Sequence, residues 1–375
     1  LIYADVDVKR LINERCRNSS FAGSLYDGDY KIVEVNVSDK IKTLDRTYKM
    51  YPFIPVNDKD KRFEEILEIQ SSALARRIIH LNNTKCVIGM SGGLDSTLAF
   101  LVIVRSFRKL DLDTKNIIGV TMPGFGTTDR TYNNAINLVK EYGATLKEVS
   151  IKEASLLHMK DIGLEENDRS VTYENIQARE RTQILMDIAN MVGGIVIGTG
   201  DLSELALGWC TYNGDHMSMY SVNSSIPKTL VRYLVSYVKD NSTDKRKKIL
   251  TDILDTPISP ELLPPDEAGN ILQKTESSIG PYVLHDFFLY HLLRYGASFK
   301  KIYLLAKLTF KDSFTADEIK KWLKVFVKRF YIQQFKRNAM PDGVKVGSIS
   351  LSPRGDLRMP SDASYEAIIK ELDKI

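Results

Sequence analysis

The stretch from residue 89 to residue 97 reads G-M-S-G-G-L-D-S-T and holds the residue types best suited to chemistry. Its adjacent glycines allow a tight turn, and the free N–H groups that begin a helix attract anions such as phosphate. Asp95 would repel a phosphate unless a cation lay between them, and Mg²⁺ prefers such oxygen ligands. The stretch therefore predicts a phosphate site that also holds Mg²⁺.

This glycine-rich stretch differs from two common phosphate-binding motifs. No Lys-Ser or Lys-Thr pair follows the glycines, so it is not a Walker A loop, and it lacks the G-x-G-x-x-G spacing of dinucleotide-binding folds. The structural alternative is a plain turn in which Asp95 only begins a helix. We favour the phosphate site because S-G-G-x-D-S stands between an apolar run and a helical pattern.

The elements that must position this stretch alternate regularly from residue 61 onward. Short apolar runs predict four strands, at 86–90, 117–122, 145–151 and 195–199. Helical periodicity predicts helices between them, at 91–110, 130–142 and 172–191. This alternation predicts an α/β fold class, with a doubly wound parallel sheet and helices on both faces. Ligands of such sheets bind beyond the carboxyl ends of the strands, where Thr199 ends the fourth strand and Glu204 follows it.

A helical C-terminal extension is predicted beyond this alternating part. Residues 227–238 predict an amphipathic helix, and Thr315 and Glu318 form a capping box ahead of another. Residues 255–281 contain five prolines, which predicts a long loop. A long loop within a compact domain often serves as an active-site lid.

Composition narrows the classes of function. The 375 residues carry a net charge of +4, too little to indicate a nucleic-acid binder, and three scattered cysteines exclude a disulfide framework. Residues 300–337 hold eleven Lys and Arg against three acids, so a nucleic-acid surface is the alternative to a solvated helix face, which we favour. No apolar run approaches the ~18 residues of a membrane span. We expect no nucleic-acid or membrane partner, and a cytoplasmic location.

The glycine-rich stretch resembles the pyrophosphate loop of the ATP pyrophosphatase superfamily, and other stretches resemble NAD⁺ synthetase of the glutamine-dependent type. These are residues 172–179 (TYENIQAR), 198–209 (GTGDLSELALGW), 280–288 (GPYVLHDFF) and 334–337 (QFKR). The resemblance runs in the same order from about residue 60 to about residue 350. It implies the Rossmann-like fold of that superfamily.

The beginning of the chain resembles a second domain. Residues 4–15 are similar to the end of the nitrilase-like glutaminase domain that precedes the synthetase in that type. The resemblance implies a glutaminase remnant with a linker at 1–57, the synthetase domain at 58–346 and a C-terminal tail at 347–375. Within the remnant, residues 1–7 alternate like a strand.

The resemblance also implies a reaction. The nicotinate carboxylate of deamido-NAD⁺ attacks the α-phosphate of ATP and releases pyrophosphate, and ammonia then displaces AMP from the adenylate to give NAD⁺. ATP is the co-substrate, Mg²⁺ is the cofactor, and a homodimer or larger homo-oligomer is expected. Because the sequence begins with Leu1, we expect a truncated chain whose glutaminase domain belongs to the full-length protein. Such a chain would use free ammonia but not glutamine.

Site residues follow from the resemblance, position by position. The catalytic residues would be Asp95, Glu204 and Lys228, and Asp95 and Glu204 would bind Mg²⁺. ATP would contact Gly89, Met90, Ser91, Gly92, Gly93, Leu94, Asp95, Ser96, Thr199 and Lys228. Deamido-NAD⁺ would contact Asn175, Arg179, Glu204, Trp209, Cys210, Thr211, Tyr212 and Lys336.

Alternatives stand beside these predictions. Glu204 is otherwise a first-turn carboxylate favoured by the helix dipole, Lys228 an exposed first-turn lysine, and Trp209 a core residue. For the whole chain, the alternatives are another adenylating enzyme with the same loop, such as a GMP synthetase, and a catalytically silent adenine-nucleotide sensor. The combination of Asp95, Glu204 and Lys228 favours the enzyme.

Overall fold

The computed structural model describes residues 1–2, 4–22, 28, 31–35, 44–257, 262 and 275–375. Within these ranges the chain forms a five-stranded parallel sheet, α-helices and one turn of 3₁₀ helix at Thr114–Asn116. The strands are β1 (Cys86–Gly89), β2 (Ile117–Thr121), β3 (Thr145–Glu148), β4 (Ile195–Gly198) and β5 (Tyr220–Ser221).

The helices fall into three groups along the chain. Before β1 lie α1 (Val8–Arg17), α2 (Ser19–Ala22) and α3 (Lys59–His80). Between the strands lie α4 (Leu94–Lys109), α5 (Asp129–Glu141), α6 (Lys152–Asp161), α7 (Val171–Val192) and α8 (Leu202–Leu207). After β5 lie α9 (Lys228–Asp240), α10 (Asp244–Leu254), α11 (Thr275–Ile279), α12 (Tyr282–Tyr295), α13 (Phe299–Thr309), α14 (Ala316–Ile332), α15 (Gln334–Asn338) and α16 (Glu366–Asp373).

The strand order β3-β2-β1-β4-β5 creates a switch point beside β1. The chain first builds outward from β1 to β3 and then crosses to β4 on the other side of β1, with Cys86 paired to both Ile117 and Ile195. Loops that leave two neighbouring strands in opposite directions open a crevice at their carboxyl ends. The predicted phosphate loop after β1 and Thr199 after β4 border this crevice.

Helices cover both faces of the sheet, as predicted. Alternate residues of β1 enter different cores: Cys86 and Ile88 pack in the core formed with α3, α4, α5, α9 and α10, and Val87 packs in the core formed with α7. Burial on both faces explains the uninterrupted apolar runs in the sequence. A third core, built from α8, α12, α13, α14 and α16, makes up the predicted helical extension.

The N-terminal segment lies against this helical extension. The guanidinium of Arg10 stands 4.1 Å from the ring centroid of Tyr295, and Lys301 forms an ion pair with Asp7. The strand predicted at 1–7 is wrong for the residues that the structure describes there, none of which pairs with a sheet. Alternation alone does not make a strand, because a strand also needs a neighbour that pairs with its backbone.

Other differences concern the ends of elements. α4 begins at Leu94 and not at residue 91, because the preceding residues form the turn. The short elements α8 and β5 were not predicted. Of the loop predicted at 255–281, α11 occupies Thr275–Ile279, and most of the remainder lies outside the described residues. The capping box of Thr315 and Glu318 is confirmed at the start of α14.

Among the described helices, none combines the length and the apolar character needed to cross a lipid bilayer.

Candidate active site

The loop between β1 and α4 has the form of an anion site. Gly92 has a φ of +81°, and a Cβ there would lie 2.0 Å from the carbonyl oxygen of Thr131, so only glycine fits. Gly93 is the N-cap of α4 and, as a glycine, provides no side-chain cap. Within the described part of the chain, the first-turn N–H groups thus lack the usual capping acceptor and suit an anion at this helix start.

Two predicted ATP residues brace this loop from within. The Gly93 N–H donates to Ser91 Oγ at 3.2 Å, and Ser96 Oγ donates to the Gly93 carbonyl at 3.1 Å. The two hydroxyl oxygens lie 3.1 Å apart. The hydrogen bonds of Ser91 and Ser96 thus hold the loop in its turned shape.

Lys228 gathers three carboxylates at the mouth of the crevice. Its Nζ lies 2.7 Å from Asp95 Oδ2, 2.7 Å from Asp201 Oδ2 and 2.8 Å from Glu204 Oε1. The Lys228 side chain is only 4% exposed, so the alternative of an exposed first-turn lysine is wrong. We call these four residues the acid–lysine cluster. The structure brings together all three predicted catalytic residues and adds Asp201.

Burial and mutual charge shift the ionisation of this cluster. Burial alone would lower the pKa of Lys228, but the three carboxylates raise it well above its usual value. Burial raises the pKa of Glu204 to about 7 and that of Asp201 well above its usual range, both against the opposing effect of Lys228. The lysine is therefore charged at neutral pH, and the acids outnumber it.

The donor set of the cluster fits a divalent cation. Asp95, Asp201 and Glu204 each offer a carboxylate oxygen, and these oxygens lie within 4.8 Å of one another. Asp95 Oδ1 is buried and has no hydrogen-bond partner in the described part of the chain. Mg²⁺ is a hard ion that takes carboxylate oxygens, so these residues suit it.

Asp201 was missed by the sequence reasoning, although a local signal pointed to it. It is the N-cap of α8: its Oδ1 accepts the Glu204 N–H at 2.8 Å, and Glu204 Oε2 accepts the Asp201 N–H at 3.3 Å. This capping box orients both carboxylates. Glu204 is therefore a first-turn carboxylate of α8, as the alternative interpretation held, and it also belongs to the acid–lysine cluster.

Asn223 is a second missed residue, and it ties the two loops together. Its fully buried side chain donates to the carbonyl oxygens of Asp95 at 3.0 Å and Thr199 at 3.3 Å. Gln70 of α3 in turn donates to Asn223 Oδ1 at 3.2 Å. Nothing in the sequence around Asn223 predicted this role, because its partners are distant along the chain.

The predicted dinucleotide residues meet around the loop at 208–212. Thr211 Oγ1 donates to Asn175 Oδ1 at 2.8 Å, and Arg179 Nε donates to the Tyr212 carbonyl at 3.3 Å. Asn175 and Arg179 lie four residues apart on α7, which places both on one helix face. The structure therefore brings these four residues together, and their contact with deamido-NAD⁺ stays a prediction.

Basic side chains of the helical extension hold the other end of this loop. Arg329, Lys336 and Arg337 donate hydrogen bonds to backbone carbonyls at the carboxyl end of α8 and just beyond it, where cations are favoured. The accepting residues are Leu205, Ala206, Leu207, Gly208 and Cys210. Arg329 and Arg337 were not predicted as site residues, although Arg337 stands in the QFKR stretch.

Aromatic and cysteine side chains of the loop have distinct surroundings. The Trp209 ring is half-buried against the helical extension, with the Arg329 guanidinium 5.1 Å from its centroid. The more open aromatic surface is Tyr212, whose ring centroid lies 5.3 Å from that of Phe335. Tyr212 and Phe335 are both 42% exposed as residues, which leaves aromatic surface on which a ligand can stack. Burial raises the pKa of Cys210, which keeps its thiol protonated.

Comparison with known proteins identifies a matching family and similar sequences. A family model described as NAD synthase matches residues 66–281. A glutamine-dependent NAD(+) synthetase of Mycobacterium leprae is 39% identical over 405 residues, an alignment that covers 99% of this chain and 59% of that protein. The protein of the same name from Mycobacterium tuberculosis is 38% identical over 411 residues, with the same coverage. The chain thus spans about 59% of the length of these curated relatives.

A solved structure extends the comparison to the fold. The glutamine-dependent NAD(+) synthetase from Cytophaga hutchinsonii matches with a TM-score of 0.69 and 20% identity, and covers 83% of this chain and 56% of that chain. This likeness confirms the parallel sheet with its helical C-terminal region. Since the NAD synthase family model matches more than half of the residues, the chain belongs to the NAD synthase family.

Proposed function

We propose that the chain catalyses the ATP-dependent amidation of deamido-NAD⁺ to NAD⁺, with release of pyrophosphate and AMP. One observation carries the proposal: the acid–lysine cluster stands beside an uncapped helix start at the switch point of a parallel sheet. A triphosphate needs both an anion site and fixed cations, and this crevice offers both. Membership of the NAD synthase family supports the choice of substrate.

The first step transfers the adenylyl group of ATP to the nicotinate carboxylate, which is itself the nucleophile. The protein therefore needs no side-chain nucleophile, and its task is to position the reactants and to stabilise charge on the phosphates. The first-turn N–H groups of α4 bind phosphate oxygens, and the ammonium of Lys228 faces the charge that develops as pyrophosphate leaves. Because its pKa is raised, Lys228 supplies a full positive charge at neutral pH.

The acids of the cluster would hold Mg²⁺. Asp95 and Glu204 are the proposed ligands from the sequence, and Asp201 lies close enough to act with them. When bound, Mg²⁺ neutralises phosphate charge and orients the triphosphate. Asn223 keeps Asp95 and Thr199 at a fixed separation, so that the phosphate loop and the strand that would contact ATP move together.

The second step needs the nicotinate end of the dinucleotide held close to the cluster. We assign this task to Asn175, Arg179 and Thr211, with Lys336 fastening the loop at 208–212. Tyr212 offers an open ring on which the pyridine ring stacks. Ammonia then attacks the activated carbonyl carbon and AMP departs.

The proposal also covers the source of ammonia, the domain division and the oligomeric state. The aligned relatives are named as glutamine-dependent, so we infer that a glutaminase domain delivers ammonia in the full-length protein. The predicted division of the chain into domains at 1–57, 58–346 and 347–375 stays a prediction. So does the homodimer or larger homo-oligomer, which equilibrium sedimentation of the purified chain would test.

Product analysis tests the proposed function. The purified chain is incubated with deamido-NAD⁺, ATP, Mg²⁺ and ammonium, and NAD⁺, AMP and pyrophosphate are quantified. We expect the three products in equal amounts, and none when XMP replaces deamido-NAD⁺. Amination of XMP would favour a GMP synthetase, and ATP binding without any turnover would favour the silent sensor.

A further inference from the structure

We propose that Asp286 is a positioning residue for the reaction: its buried carboxylate fixes the first turn of α9 against α8 and so sets where Lys228 stands relative to Glu204. The inference rests on the proposed function of the acid–lysine cluster. Asp286 itself does not belong to that cluster, and it would act through Ser203 and Thr229.

Asp286 reaches the starts of two helices from a third. It lies on α12 and is 1% exposed. Its Oδ1 accepts a hydrogen bond from Ser203 Oγ, and its Oδ2 accepts from the backbone N–H of Thr229 at 3.1 Å and from Thr229 Oγ1 at 2.6 Å. Three donors on one carboxylate leave little freedom for either helix start.

The same network continues to the backbone of Lys228. The Lys228 N–H donates a hydrogen bond to Ser203 Oγ at 2.8 Å, and the Ser203 hydroxyl in turn donates one to Asp286 Oδ1. α9 has Pro227 as its N-cap, which provides no side-chain cap. Asp286 therefore supplies from another helix the cap that α9 lacks, with a negative charge where the helix dipole favours one.

The chemistry of Asp286 agrees with an accepting role. Burial raises its pKa to about 6, while the hydrogen bonds from Ser203 and Thr229 oppose the rise. The group is thus mainly ionised at neutral pH and accepts from all its partners. An amide in its place would present an N–H₂ group to one set of donors and would break part of the network.

The geometry of the cluster makes this positioning matter. Lys228 Nζ lies within 2.8 Å of each of three carboxylates from two separate segments. A shift of the first turn of α9 by about 1 Å would misplace the ammonium relative to the phosphates, and displacements of that size cost up to about 100-fold in rate.

The test compares Asp286→Asn with two substitutions of its hydrogen-bond partner Thr229. Thr229→Val removes the hydroxyl donor, and Thr229→Ser keeps it. We expect kcat to fall about 10- to 100-fold in Asp286→Asn and by less in Thr229→Val. KM for ATP should stay within about threefold of wild type in both variants. Thr229→Ser, which keeps the hydroxyl, should keep the wild-type kcat. The matched control is Ser298→Ala, which removes the side-chain cap of α13 away from the site.

A second readout is independent of catalysis. Hydrogen–deuterium exchange of the peptide that covers the first turn of α9 should speed up in Asp286→Asn and Thr229→Val, and not in Ser298→Ala or Thr229→Ser. If wild type makes no NAD⁺, the proposed function fails while this readout still reports on the positioning. The inference is overturned if exchange and kcat stay at wild-type values in both disruptive variants, or if Ser298→Ala lowers kcat equally.

Discussion

Lys228 shows how one residue can be both a structural and a chemical centre. A buried ammonium is costly unless acids surround it, and here three carboxylates do so within 2.8 Å. The three carboxylates outnumber the single ammonium, and this set of oxygen donors suits a further cation. The burial of Lys228 and the proposed Mg²⁺ site would then be two consequences of the same arrangement.

Replacement of Lys228 by methionine tests this at the residue scale. We expect Lys228→Met to lower kcat by about 100- to 1000-fold, because a fixed charge facing the phosphates is lost. We also expect a lower Tm without Mg²⁺, since three acids remain close together, and partial recovery when Mg²⁺ is added. Steady-state NAD⁺ formation and thermal melts measure the two effects.

The matched control for this variant is Lys239→Met, on the same helix but paired with Asp240 at its far end. It should leave both kcat and the Mg²⁺ dependence of Tm unchanged. A Lys228→Met enzyme within about twofold of wild type would rule out the catalytic role of this lysine.

The sequence allowed this site to be predicted only in part. Asp95 came from the glycine-rich stretch, and Glu204 and Lys228 came from the family resemblance, which implied one shared site. The direct ion pairs of Lys228 with both acids were not predicted, because Lys228 lies 133 residues from Asp95 and 24 from Glu204. Asn223 acts through buried hydrogen bonds to distant carbonyls. Such contacts depend on tertiary packing and leave no periodic pattern along the chain.

At the scale of elements, the proposed phosphate site depends on the turn between β1 and α4. Its shape depends on a left-handed glycine that touches the backbone of α5. Gly93 provides no side-chain cap at the helix start beyond it, which suits the N–H groups there to an anionic ligand. On the proposed function, loop shape and anion affinity are therefore coupled.

Gly92→Ala should break this coupling. A Cβ at this position would overlap the Thr131 carbonyl, and the φ of +81° adds strain for alanine. The left-handed conformation alone costs alanine about 1–2 kcal/mol and the overlap adds to it, so we expect ATP affinity to fall at least about tenfold. Calorimetric titration with ATP and Mg²⁺ measures it.

Gly347→Ala is the control for that loop variant, because a Cβ there meets nothing within 4 Å. It should bind ATP like wild type. Equal affinities for Gly92→Ala and wild type would show that the turn does not bind phosphate.

Helix α12 carries a pH-sensitive element. His285 is 2% exposed, its Nε2–H donates to the Ile279 carbonyl at 2.7 Å, and burial lowers its pKa to about 4. The unfolded chain binds a proton near the usual pKa of about 6.5, so stability is fully present above that pH and is lost as pH falls toward 4.

The expected size of this effect follows from linkage. Between about pH 8 and about pH 5, wild type should lose about 2 kcal/mol more unfolding free energy than His285→Gln, which keeps a donor but does not titrate. Urea denaturation at both pH values measures it. Parallel losses in the two proteins would mean that His285 is not held neutral by the fold.

Elements with strong local patterns were predicted well. Long amphipathic helices and buried apolar strands show their periodicity over many residues, so β1, β2, β4, α4, α5 and α7 were found close to their true bounds. The six residues of α8 and the two of β5 are too short for any period to be visible. Yet α8 carries Glu204, and Asn223 follows β5 by two residues.

For the whole molecule, the site lies where the sheet and the helical extension meet. α8 belongs to the extension core, and α9 belongs to a sheet core, yet Glu204 and Lys228 touch across them. The extension also fastens the loop at 208–212 through Lys336. A helical extension was predicted, with Lys336 as its contribution to the site, but the contacts of Arg329 and Arg337 with the backbone of α8 and Gly208 were not.

The nitrogen source is a prediction at this scale. The resemblance places only the end of a glutaminase domain, residues 4–15, in this sequence. We therefore predict that a polypeptide of these 375 residues forms NAD⁺ with ammonium but not above background with glutamine. Robust glutamine use by the pure chain would contradict the predicted division into domains.

The central claim is that the nicotinate carboxylate is adenylated in this crevice, and an isotope experiment tests it most directly. Deamido-NAD⁺ labelled with ¹⁸O in that carboxylate is converted with ATP, Mg²⁺ and ammonium, and the products are analysed by mass spectrometry. If the carboxylate attacks the α-phosphate, each AMP carries one labelled oxygen and the pyrophosphate carries none. Unlabelled AMP, or label in the pyrophosphate, would contradict the account.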